Sequence, residues 1–232
     1  MGPDLGIGLV WFVSFLFSTT VHEAMHALAA WRLGDPTAYN GGQVTLSPLP
    51  HIRREPIGML VLPLLTSLTQ GWAIGWASAP YDPYWAQRYP KRAAIMAAAG
   101  PIGNVLIATS ALILLRVGLA IGLFIAPDRI TFETLVASAN GTPTFLTILL
   151  SVLLVQNVFL GIFNLLPLPP LDGSAVLGAV VPEPFAGKVR QFSSNPMAST
   201  LGLLVAWQLF PQLTGPVFLF ILRLVHPSLG YN

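Results

Sequence analysis

One unbroken apolar run, residues 5–33, carries His22-Glu23-Ala24-Met25-His26 past its midpoint. As a helix rising ~1.5 Å per residue, such a run is long enough to cross a hydrocarbon core of about 30 Å. Ionisable groups inside a segment of this kind are costly to bury and usually functional. Positions i and i+4 share one helix face, so His22 and His26 can bind one metal ion. Glu23 sits beside them, placed to take a proton from a water at that ion. Gly34-Asp35-Pro36 then ends the run.

Of the 232 residues, 54% are hydrophobic and only 9% are charged, against roughly 25% charged in soluble domains. So few charges cannot coat a soluble surface of this size. The expectation is an all-α polytopic membrane protein with one integrated domain over residues 1–232. The formal charge of +2 gives no argument for nucleic acid. With no cysteine, the metal ligands must come from His, Asp and Glu. The N-terminus lacks the basic start of a cleavable signal peptide.

Further apolar segments cover about residues 57–79, 93–115, 143–166 and 197–222. The second of the five is interrupted by Pro63, Gly71 and Gly75, which suits a bent, re-entrant hairpin better than a full crossing. Residues 43–46 read as a short membrane-associated β element, and residues 174–197 as a loop. With four crossings and one hairpin, eight of the eleven Lys and Arg residues fall on one side: Arg32, Arg53, Arg54, Arg88, Lys91, Arg92, Lys188 and Arg190. Arg116, Arg129 and Arg223 fall on the other. The richer side is expected to be cytoplasmic, with the first and third crossings parallel.

Two histidines leave a catalytic zinc short of a protein ligand. Where a third histidine would stand in one familiar motif, six residues after His26, the chain has Arg32. Glu55 is available but lies in a loop between Arg53-Arg54 and Pro56. Asp172 is the better candidate, since it follows a proline-rich break at the end of an apolar segment. The parallel topology also brings it to the side where the histidines lie.

Beyond His22-Glu23-Ala24-Met25-His26, the chain has Asn164-Leu165-Leu166-Pro167-Leu168-Pro169-Pro170-Leu171-Asp172-Gly173 and Ala99-Gly100-Pro101-Ile102-Gly103-Asn104. With these segments it resembles the site-2 protease family of intramembrane zinc metalloproteases, as a compact member without PDZ or CBS domains. The resemblance spans residues 5–180, with a further transmembrane helix at about 197–222. It implies one zinc ion on His22, His26 and Asp172, Glu23 as general base, and Asn164 steadying the oxyanion.

The expected function is therefore hydrolysis of peptide bonds in or near the transmembrane segments of membrane-protein substrates. The expected setting is the plasma membrane, with the site toward the cytoplasm. The alternative is an inactive scaffold of the same fold that binds membrane helices; an intact Glu23 argues against it. Asn104 reads as stabilising the kink after Gly100-Pro101 or as facing the site, Asn157 as a packing or hydrogen-bonding residue, and His51 as an interfacial loop histidine rather than a fourth ligand.

Overall fold

The computed structural model describes residues 4–182 and 184–228. Four of its helices are long and apolar enough to cross a membrane: α1 (Leu5–Arg32), α6 (Pro90–Ala120), α7 (Phe145–Asn164) and α10 (Pro196–Val225). Between α1 and α6 lie α2 (Thr37–Asn40), α3 (Leu49–Arg54), a π-helical turn Ile57–Val61 leading into α4 (Leu62–Gln70), and α5 (Pro83–Arg88). Between α6 and α7 is a two-strand antiparallel ribbon, β1 (Phe124–Ile125) with β2 (Ala137–Ser138). Between α7 and α10 come α8 (Asp172–Val180) and α9 (Phe185–Ser193).

Local chemistry sets the ends of α1. The Asp4 carboxylate accepts from the Gly6 and Ile7 N–H groups, satisfying two donors of the first turn. At the other end the chain reverses through Gly34 at φ 105°, and the Asp35 N–H returns to the Ala30 carbonyl.

Contacts along the helices fix their relative directions. Near the start of α1, the Trp11 indole donates to Glu133, while the Leu135 N–H bonds Ser151 near the start of α7. Further along, Asn157 of α7 donates to Ser18 of α1. Helices α1 and α7 are thus parallel. α6 runs against them: its Met96 meets His26, and its Arg116 reaches the Val225 carbonyl at the end of α10. The main apolar core (Trp11, Leu115, Leu135, Val152, Leu154, Ile221 and neighbours) fills the end of the bundle remote from the histidines.

The second apolar segment does not form one helix. Helix α4 descends beside α1 until Ser67 lies against Gly8, then stops at Gly71, whose φ of 80° suits glycine. The chain returns in extended form. Ile74 bonds the Thr66 hydroxyl, Trp76 the Gly58 carbonyl, Ser78 the Glu55 carboxylate and Asp82 the Asp35 carboxylate. Both ends of this excursion therefore lie together.

Two expectations need correction. Residues 43–46 form no strand; they bend, with Gln43 tied back to Ala38, and the ribbon lies at Phe124–Ile125 and Ala137–Ser138. Val44 to Leu46 have strand-like residue types, but make no ladder bond to another segment among the described residues. The expected loop at 174–197 instead holds α8 and α9, continuous with the turn after Pro170.

Candidate metal centre

α1 carries His22, Glu23 and His26 into the bundle, all buried. The His22 and His26 Nε2 atoms lie 3.0 Å apart. Asp172, the first residue of α8, brings its Oδ2 to 3.2 Å from His22 Nε2 and 3.3 Å from His26 Nε2. The first apolar segment and the Pro-Leu-Asp-Gly turn thus lie against each other at these three side chains. A helix N-terminus also favours a negative carboxylate at this position.

The hydrogen bonds behind the rings decide what the front can hold. His26 Nδ1 lies 2.8 Å from the Met96 carbonyl, which can only accept, so Nδ1 carries the proton. His22 Nδ1 lies 2.6 Å from Asn104 Oδ1 and is likewise a donor. In the neutral rings both Nε2 atoms therefore present lone pairs to each other and to a carboxylate oxygen. Three acceptors converging in a buried space repel unless a proton or a metal ion sits among them. A tetrahedral ion ~2.1 Å from each donor separates donors by about 3.4 Å, close to the spacings found. The donor set fits zinc.

Space for an ion is kept open by Gly100. A Cβ there would fall 2.3 Å from His26 Nε2 and 2.5 Å from His22 Nε2. Glu23 completes the cluster: carboxylate and imidazole atoms of His22, Glu23 and His26 lie within 4.8 Å of one another. Its Oε2 is buried with no hydrogen-bond partner among the described residues. Such an atom calls for a proton donor from outside the protein, such as a water.

Residues 10–209 match the profile of peptidase family M50. The chain belongs to that family, the site-2 proteases. This site-2 protease is 31% identical over 183 residues to YwhC of Bacillus subtilis, which is named as a candidate zinc metalloprotease; the match covers 78% of the chain and 74% of YwhC. Rip2 of Mycolicibacterium smegmatis, named in the same way, is 30% identical over 173 residues, or 75% of the chain and 58% of Rip2. For Rip2 of Mycobacterium tuberculosis the identity is 30% over 172 residues, 74% of the chain and 57% of that protein. The chain thus spans less than three fifths of the Rip2 proteins it matches. No solved structure matches the chain significantly.

Other polar residues of this site-2 protease divide cleanly. Glu55, the other candidate third ligand, accepts from Ser78 and from the Trp76 indole and so ties down the returning segment. His51 is buried under its own loop against the Thr45 carbonyl. Asn164 donates one amide hydrogen to the Leu160 carbonyl at 3.0 Å. Of the two roles open to Asn104, the contact with His22 at 2.6 Å favours the one that faces the site. The Met96 carbonyl could not have been found from the sequence, since a backbone group carries no residue signature.

Proposed function

We propose that this chain is an intramembrane zinc endopeptidase, forming one integral-membrane domain. The observation that carries the reading is the convergence of His22, His26 and Asp172 within 3.0–3.3 Å beside the unpartnered Glu23 carboxylate. A zinc ion held by those three residues, one per chain, would supply Lewis acidity to a water and to the scissile carbonyl. Glu23 takes the proton of the attacking water and returns it to the leaving amine. Asn164 has a second amide hydrogen to offer the developing oxyanion, an interaction worth about 3 kcal/mol in other hydrolases.

The substrate in this reading is a transmembrane helix of another protein, unwound locally so that a peptide bond can reach the cluster. Four spanning helices and the α4 excursion give the frame. Residues 57–82 act as a re-entrant hairpin, supported by the pairing of their two ends through Glu55–Ser78 and Gly58–Trp76. The positive-inside bias then sets the site toward the cytoplasm of a plasma membrane. The scaffold alternative gives no role to a buried Glu23 with an unpartnered oxygen.

The test is zinc content of the detergent-purified protein. About one zinc per chain is expected in the wild type, with strong loss in Asp172→Ala. Zinc retained in full by that variant would sink the three-residue site. Peptide-bond cleavage is then sought by mass spectrometry in liposomes that carry a panel of single-span helices. Zinc-dependent products absent with Glu23→Gln are expected. Products of equal yield from that variant would remove Glu23 as the base.

A further inference from the structure

We infer that Asn104 and Asn157 form a directional relay that fixes the tautomer of His22 from across the bundle, making both of them positioning residues for the metal centre. The inference rests on the reading of His22, His26 and Asp172 as metal ligands. It adds two residues from two other helices that neither the sequence nor the family match assigns to the site.

The relay starts at a group with only one possible role. Asn157 Nδ2 lies 2.8 Å from the Leu153 carbonyl, which can accept but not donate. That contact decides which end of the Asn157 amide is nitrogen. The same nitrogen donates to Ser18 Oγ at 2.8 Å, using its second hydrogen. Asn157 Oδ1 must then face the other way, where Asn104 Nδ2 donates to it at 2.9 Å. Asn104 Oδ1 in turn faces His22 Nδ1 at 2.6 Å. Each amide is oriented by the one before it. The imidazole at the end must put its proton on Nδ1 and its lone pair on Nε2, toward the metal site.

Asn104, Asn157 and Ser18 are fully buried, and His22 nearly so. No bulk water competes for the bonds at this depth in an apolar bundle, so a reversed amide would leave unpaired groups with nothing to satisfy them. His26 needs no such relay, because its Nδ1 meets the Met96 carbonyl directly. The two histidines thus obtain the same tautomer by different routes, one from backbone and one from three side chains on α1, α6 and α7. Partners behind metal-binding histidines are commonly worth 10- to 100-fold in affinity.

The experiment measures zinc affinity by chelator competition on the full chain in detergent, with the thermal midpoint of the zinc-free protein recorded alongside. Asn104→Leu is expected to weaken zinc binding on the order of 10- to 100-fold. Asn104→Asp keeps an acceptor for Nδ1 while it takes the donor from Asn157 Oδ1, and is expected to bind zinc more tightly than Asn104→Leu. Asn157→Leu touches no ligand, yet it frees the Asn104 amide to turn over and is expected to weaken binding by a smaller factor. Residues that serve only packing would lower the midpoint and leave the affinity unchanged; that result would overturn the relay. Should the leucine variants fail to fold, the wild type decides. Nitrogen-15 shifts of its zinc-free histidines should show His22 protonated on Nδ1, and a His22 protonated on Nε2 would overturn the inference. A wild type unable to bind zinc would overturn the ligand reading as well, whereas normal wild-type binding with unaffected variants removes the relay alone.

Discussion

Gly100 of α6 packs so closely on His26 of α1 that a methyl group added to it would fall 2.3 Å from the imidazole Nε2. The approach is to a ring held in place by the Met96 carbonyl, so the ring has little freedom to yield. Gly100→Ala is therefore expected to remove zinc from the purified protein while the helices remain folded by circular dichroism. Gly103→Ala is the control. Its Cβ would meet Met25 Cγ at 3.1 Å and neither candidate ligand, and zinc content should stay near wild type.

Zinc should also stabilise the fold. Its candidate ligands come from α1 and α8, so an ion bound to them joins two elements that are distant in the chain. At a free concentration of 100 times Kd, linkage predicts a gain of about 2.7 kcal/mol, read as a rise in thermal midpoint on zinc addition. Glu23→Gln should show the same rise, and Asp172→Ala little or none. A rise of equal size in Asp172→Ala would place the ion elsewhere.

The chain has no cysteine, so single cysteines report position without background. Ser47→Cys and Tyr81→Cys flank the α4 excursion and should be labelled by a membrane-impermeant maleimide from one face. Asn140→Cys, in the connection between α6 and α7, should label from the opposite face. Labelling of positions 47 and 81 from opposite faces would make residues 57–82 a full crossing.

Asp35 lies outside the spanning helices and joins the end of α1 to the returning segment. Burial raises its carboxyl pKa, but hydrogen bonds from the Thr37 hydroxyl, the Asp82 N–H and the Thr37 N–H outweigh this and hold it below the ordinary 3.8. A depressed carboxylate stabilises the fold fully above its unfolded value, and the contribution is lost as pH falls through the lower folded value. Asp35→Ala should thus cost on the order of 1–3 kcal/mol near neutral pH. The difference from wild type should shrink only below about pH 4, as followed by denaturant unfolding in detergent.

Much of this was legible because membrane solvation writes itself into long apolar runs. The four helices long and apolar enough to cross a membrane lie within a few residues of the segments read from hydropathy, and Asp172 lies beside the two histidines. What was illegible depended on neighbours rather than local residue type. Residues 43–46 look like a strand but lack a pairing edge. Asn104 and Asn157 look like packing polar residues until α1, α6 and α7 are set side by side.

The cluster draws on the first spanning helix and on the turn beyond the third, with some 145 residues between His26 and Asp172. During synthesis from the N-terminus, His22 and His26 enter the bilayer while Asp172 has yet to be made. A ribosome-bound intermediate would hold two imidazoles without their carboxylate. In the function proposed above, a chain growing from its N-terminus would therefore hold no complete three-residue metal site until α7 and the turn beyond it had been made.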